Sequence, residues 1–159
     1  MAIYGNSLSI SSISDSPLCD YGWKIARERA DTAVRFVRGD KMRRVDRLFD
    51  EVSAACQFPY YFGENWAAFA ECLGDLYWIH SSCFVLIITK ADEVLADEPN
   101  DIGAFVESIG DAINAYNRKK GNSDHDHSMF QVMINASDID NNVITLLSKE
   151  LGNPIMLRI

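Results

Sequence analysis

Apolar residues follow two periods along the chain, one typical of buried strands and the other typical of helices. Short, largely apolar runs at residues 32–39, 83–89 and 130–135 predict three strands. Elsewhere apolar residues recur every three or four positions, which predicts helices that bury one face. These periodic segments lie at residues 45–56, 66–77, 102–116 and 139–151. Strands that alternate with helices predict an α/β fold with a parallel sheet flanked by helices.

Local signals predict where several helices begin and end. Asn65, Asn100 and Asp138 each precede a periodic segment, and their side chains are expected to accept bonds from the first free amides of three helices. Pro59 stops the helix before it, and Gly152 is expected to close the last one. Residues 155–159 then predict one more short strand.

Residues 1–31 carry the weakest pattern. Serines are frequent at positions 7–16, where Leu8, Ile10 and Ile13 alternate only in part with polar residues. This segment is predicted to be either an N-terminal arm or an added edge strand, and the pattern does not decide between them.

The most informative stretch is the loop and helix at residues 58–78. Trp66, Phe69 and Leu73 share the helix face predicted to enter the core. A second stripe, at the same spacing, is mainly acidic, and an aromatic loop precedes it. Carboxylates beside aromatic rings on a rigid unit predict a binding site for a basic protein. The stripe consists of Glu64, Ala67, Glu71 and Asp75, and the loop of Tyr60, Tyr61 and Phe62. Of the three loop residues, Phe62 is expected to cover the core and Tyr61 to contact the partner.

Composition and charge narrow the classes of function. With 159 residues, 48% of them hydrophobic, the chain is expected to form one soluble domain. A net charge of −8 favours basic partners and argues against nucleic-acid binding, although many proteins carry such charge only for solubility. The four cysteines show no paired spacing, and neither a secretory signal nor an apolar run of membrane-spanning length is visible. We therefore expect free thiols, no membrane contact and a cytoplasmic location.

Catalytic and metal-binding patterns are weak. The sequence has no glycine-rich phosphate loop, no Gly-x-Ser-x-Gly and no cysteine with a nearby histidine signature. The run Asp124-His125-Asp126-His127 contains metal-ligating residue types, but adjacent residues in a loop rarely converge on one ion. No catalytic residue, cofactor or metal site is therefore predicted, and the chain is expected not to be an enzyme.

The segment Tyr-Phe-Gly-Glu-Asn-Trp-x-Ala-x-x-Glu-Cys-Leu at residues 61–73 resembles the signature of the barstar-like proteins, which inhibit secreted ribonucleases. The order of predicted elements extends the resemblance to about residues 32–135. The resemblance implies a barstar-like parallel three-stranded sheet flanked by helices within a domain at residues 32–159. Its core would span residues 32–136, and a C-terminal helix and strand would form an extension at residues 137–159.

The resemblance also implies an inhibitory face, in which the loop and second helix plug the nuclease active site. Glu71 stands where the family's best-known member has an aspartate, whereas Ala67 stands where many relatives carry another one. Asp111 falls near an acidic contact residue on a later helix. The predicted partner-binding set is Tyr61, Glu64, Asn65, Ala67, Glu71, Asp75 and Asp111.

The expected function is thus that of an inhibitor or immunity protein, monomeric when free, that blocks a basic nuclease toxin, with a ribonuclease as the expected target. Two alternatives remain open: a regulatory adaptor that uses the same surface for a non-nuclease partner, and a small hydrolase.

Overall fold

The computed structural model describes residues 7–120 and 129–159, except the side chains of residues 119 and 120. Its strands are β1 (Leu8–Ser11), β2 (Thr32–Arg38), β3 (Cys83–Thr89), β4 (Met129–Asn135) and β5 (Ile155–Met156). Its α-helices are α1 (Asp15–Glu28), α2 (Val45–Cys56), α3 (Trp66–Asp75), α4 (Ile102–Lys120) and α5 (Asn142–Leu151). Short 3-10 helices lie at Gly39–Lys41, Ala91–Glu93 and Pro99–Asp101.

The five strands form one sheet in the order β2-β3-β4-β1-β5, and every neighbouring pair is parallel. The predicted α/β class with a parallel sheet is therefore confirmed. The predicted three-stranded sheet was wrong, because the sheet has five strands within the described residues, and the further short strand predicted at residues 155–159 is present as β5. β2, β3 and β4 pair in sequence order, and β1 and β5 extend the sheet beyond β4.

Within the described part of residues 1–31, the chain forms a strand and a helix rather than an arm, and β1 is not an edge strand. β1 lies between β4 and β5, and the 14-residue helix α1 follows it. Asn135 at the end of β4 fixes this arrangement: its Nδ2 donates to the carbonyl of Ile13 and to Oδ1 of Asp15. Its Oδ1 accepts from the amide of Lys90 at the end of β3. One buried side chain thus ties three strand ends together.

The helices divide between the two faces of the sheet. α2, α3, α4 and α5 cover the face that holds the larger core. On the other face, Leu18 and Ile25 of α1 form a smaller core with Val34, Val85, Ile87 and Met133. α1 lies so close to the sheet that a Cβ on Gly22 would be 2.4 Å from Ile87 Cδ1, so only glycine fits there without a shift of neighbouring side chains.

Two predicted helix starts were wrong, although the helices exist. Asn100 lies inside the 3-10 turn Pro99–Asp101 that leads into α4. At α5 the N-cap is Asn141, whose Oδ1 accepts from the amide of Val143. The Oδ1 of Asp138 accepts instead from the amide of Asp140, a local turn that leaves Ile139 exposed rather than buried.

Several expectations concern features outside the sheet. The run Asp124–His127 lies outside the described residues. Within residues 7–120 and 129–159, no group of three or more metal-ligating side chains could hold an ion. No helix in this part of the chain has the length and apolarity needed to cross a membrane. Cys56 and Cys72 are buried thiols, as expected, and burial raises the pKa of Cys56 to about 12.

Candidate partner-binding face

The loop between α2 and α3 is anchored from below by its aromatic residues. The amide of Phe62 donates to the carbonyl of Pro59 at 3.0 Å, which closes a tight turn. The ring of Phe62 packs edge-on against Phe49 and Phe58, with ring centroids 5.6 and 5.1 Å away. Tyr60 and Tyr61 lie above this anchor and are exposed. Phe62 therefore covers the core, as predicted, whereas Tyr61 is exposed and its contact with a partner stays a prediction.

Asn65 connects the loop to α3. Its Oδ1 accepts from the amide of Ala68 at 2.9 Å, and its Nδ2 donates to the carbonyl of Gly63 at 3.1 Å. Both ends of the side chain amide are therefore used within the chain, and the predicted N-cap is confirmed. The role of Asn65 at this face is to fix how the loop enters the helix.

The inner side of α3 is held rigidly. Phe69 is fully buried, and its ring lies 5.7 Å from those of Phe49 and Trp66. The indole N–H of Trp66 donates to Asp101 Oδ1 at 3.3 Å, which joins α3 to the turn before α4. A Cβ on Gly74 would lie only 3.2 Å from Ala112 Cα, so the two helix backbones cross closely at this glycine.

The outer side of α3 carries Ala67, Glu71 and Asp75. Ala67 and Glu71 are exposed, and Asp75 is half-buried. Among the described residues, Glu71 forms no salt bridge, although eight ion pairs occur elsewhere on the surface. A carboxylate that is fixed on a helix and has no cation of its own can accept a cation from another protein.

Glu64 is not part of the helical stripe. It precedes the helix with a positive φ of 49°, and its side chain lines a pocket of about 430 Å³ against the start of α2. This pocket also contains Arg44, Asp46, Asp50 and Glu98. Ala67, Glu71 and Asp75 have the predicted helical spacing, but α3 begins only at Trp66, after Glu64 in the sequence.

Asp111 is exposed on α4, next to Ala112 at the crossing with α3. The open pocket beside it is lined only by α4 residues, namely Asp111, Asn114, Asn117 and Arg118. Among the described contacts, none links Asp111 directly to Tyr61 or Glu71. Its membership of the face stays a prediction.

Tyr77 is a candidate residue at this face that the sequence pattern did not single out. Leu76 ends α3 in the left-handed region with φ 44°, which turns the following residue outward. Tyr77 is 65% exposed, and its phenolic group lies close enough to Tyr61 to raise the pKa of Tyr61. Partial desolvation, the phenolic group of Tyr77 and the charge of Asp75 all raise the pKa of Tyr61. The tyrosine loop therefore meets the C-terminal turn of α3.

Comparison with known families places this loop and helix in context. Residues 32–133 match the model of the family described as Barstar (barnase inhibitor). The chain belongs to the barstar family. The matched residues include β2, β3, most of β4 and the helices between them, so the three strands implied by the resemblance are the family part of the sheet. In this member of the barstar family β1, α1, α5 and β5 lie outside the match.

The overall fold is also similar to a solved structure of a different kind. The Aeropyrum pernix ORC2 protein, solved in ADPNP-ADP complexes, aligns with a TM-score of 0.53 and 9% sequence identity. The alignment covers 96% of this chain but 42% of that one. The similarity therefore concerns the fold alone. None of the curated proteins compared with the chain matches it.

Proposed function

We propose that this chain is an inhibitor or immunity protein that binds and blocks a basic nuclease, with a ribonuclease as the expected class. The contact surface would be the loop at residues 58–65 together with the outer side of α3. The observation that carries the proposal is Glu71, an exposed carboxylate without a salt bridge among the described residues, placed mid-helix within the residues that match the family model.

Inhibition would follow from charge mimicry. A ribonuclease binds RNA phosphates with arginine and lysine side chains, and carboxylates that occupy the same places exclude the substrate. Because α3 is fixed by Phe69 and Trp66, little conformational entropy would be lost when Glu71 meets a cation. The net charge of −8 would also speed the encounter with a basic protein.

The likeness to ORC2 does not lead us to propose nucleotide binding. The connection from β1 to α1 reads Ser11-Ser12-Ile13-Ser14-Asp15-Ser16 and contains no glycine. Asp15 stands in the first turn of α1, where its charge would oppose a phosphate at the helix N-terminus. A glycine-rich loop with free amides would be needed to hold phosphates there.

Ala67 gives a reason to keep a second candidate. It is exposed in the first turn of α3 and offers no charge where many relatives carry an aspartate. A face with one fewer carboxylate fits an altered nuclease target, and it also fits a regulatory adaptor that binds a non-nuclease protein.

The experiment that separates these functions is a pull-down from the native host followed by an activity assay. We expect the captured protein to be a basic nuclease, and we expect RNA cleavage by it to fall as this chain is added in stoichiometric amounts. Capture of a protein without nuclease activity would favour the adaptor. Hydrolysis by the purified chain alone, tested in parallel, would favour the hydrolase and contradict the proposal.

A further inference from the structure

Three exposed tyrosines meet at the C-terminal end of α3. Tyr60 is completely exposed, and Tyr61 and Tyr77 are 59% and 65% exposed. The rings of Tyr60 and Tyr61 lie 5.7 Å apart at 77°, and the phenolic group of Tyr77 lies close enough to raise the pKa of Tyr61. These three neighbouring exposed residues are called here the tyrosine platform.

Two of the three tyrosines, Tyr61 and Tyr77, are adjacent in sequence to residues that pack on the core. Tyr61 precedes Phe62, which is anchored on Phe49. Tyr77 follows the buried Leu76 and packs edge-on against Trp78 at 5.1 Å. The indole N–H of Trp78 in turn donates to the carbonyl of Cys56 at 2.9 Å. Rigid aromatic rings with a phenolic edge are the side chains most enriched in protein interfaces, because they bury a large area at little entropic cost.

The charge around the platform indicates which partner group it fits. Asp75 lies close enough to affect the ionisation of Tyr61, and Glu71 stands one turn earlier on the same helix. Aromatic ring faces attract cations, and a carboxylate beside them adds to that attraction. A guanidinium can stack flat on a ring while it donates to a carboxylate, which the compact lysine ammonium cannot do.

We propose that the tyrosine platform binds arginine side chains of the basic partner, with Tyr77 as a residue that sets a preference for arginine over lysine. This inference rests on the proposed function, because it assigns a chemistry to the partner of the same face. Contacts with the platform would supply binding energy at the C-terminal end of α3, whereas Ala67 offers no charge in the first turn of the helix.

The test is calorimetric titration of the full chain with nona-arginine and nona-lysine peptides, which carry equal charge. We expect wild type to bind nona-arginine more tightly, and we expect Tyr77→Leu to weaken arginine binding by about 3- to 5-fold, the effect of one exposed cation–π contact. Binding of nona-lysine should be nearly unchanged. Tyr77→Phe keeps the ring and should retain the preference.

Ile139→Ala is the matched control, since Ile139 is an exposed apolar residue 48% accessible and remote in sequence from the platform. Equal binding of the two peptides to wild type, or unaltered arginine binding in Tyr77→Leu, would overturn the proposal. A free chain that sediments as a dimer and becomes monomeric in Tyr77→Leu would also overturn it, because the platform would then be covered by a second copy.

The platform and the proposed function fail in different ways. If the captured protein has no nuclease activity while Tyr77→Leu loses its arginine preference, the nuclease proposal fails and the platform stands. If Glu71→Ala abolishes nuclease binding while Tyr77→Leu has no effect on either peptide, only the platform fails.

Discussion

Replacement of Glu71 by alanine is the most direct test of the candidate face. In the free protein Glu71 is exposed and forms no salt bridge with a described residue. Alanine is the best helix former, so Glu71→Ala should change the free energy of unfolding by less than about 0.5 kcal/mol. In a complex the same carboxylate would be buried against arginine or lysine. Its removal would leave those cations desolvated and unpaired.

The expected loss of binding is therefore much larger than the loss of stability. We expect Glu71→Ala to reach the general threshold of an interface hot spot, a loss of about 2 kcal/mol or more in binding free energy. This loss corresponds to a dissociation constant about 30-fold larger. Titration calorimetry against the captured nuclease gives the affinity, and thermal unfolding of the free variants gives the stability.

The matched control is Glu107→Ala, which removes an exposed carboxylate from the surface of α4 and changes the net charge equally. We expect this variant to have nearly wild-type affinity and stability. Wild-type affinity in Glu71→Ala would refute the use of the family's inhibitory face by this protein. Equal losses in both variants would show that only the overall charge matters.

Three further predictions concern association, packing and pH. The association rate should fall markedly as ionic strength rises through the physiological range, where the Debye length is about 8 Å, and a flat stopped-flow profile would exclude electrostatic steering. Phe69→Ala should lower the free energy of unfolding by about 3–5 kcal/mol, because the fully buried ring contacts Phe49 and Trp66, and an unmoved denaturant midpoint would contradict this packing. Hydrogen bonds from Arg38 hold the pKa of Glu51 below its usual value of 4.5. The ionised Glu51 carboxylate therefore stabilises the fold above pH 4.5. This stabilisation is lost as the pH falls through the lower pKa that Glu51 has in the folded protein. Glu51→Gln should therefore cost about 1 kcal/mol at pH 7 and progressively less in acid, as measured by urea unfolding at several pH values.

The family part of the fold could be predicted from the sequence because its signals are local. β3 is an unbroken apolar run, and the buried residues of α4, such as Phe105 and Ile109, recur at helical spacing. β1 could not be assigned from the sequence because its buried residues include Ser9 and Ser11 as well as Leu8 and Ile10. The strand is covered on both faces, yet its sequence is not a continuous apolar run. β1 forms a strand by pairing with β4 and β5, which lie far from it in the sequence.

α1 and Tyr77 show two other limits of the sequence pattern. Leu18, Gly22 and Ile25 recur at helical spacing, and this signal could have predicted α1. The pattern is weak because one of the three buried positions is a glycine, which allows close packing but adds no hydrophobic side chain. Tyr77 is the last residue of the periodic segment predicted at residues 66–77, so the pattern places it on the apolar side of the helix. The left-handed backbone at Leu76 ends the helix at Asp75, two residues before Tyr77, and exposes the tyrosine ring instead.

The interior position of β1 has a consequence for the order in which the protein can assemble during its synthesis. β2, β3 and β4 pair in sequence order, so this part of the sheet, together with α3, can form as the chain leaves the ribosome. The Asn135 bond that fixes the N-terminal segment joins residues 122 positions apart, so residues 8–28 must wait for their partners. Closing so long a loop is slow compared with local pairing. The nascent chain should therefore present α3, its candidate partner-binding helix, before its sheet is complete.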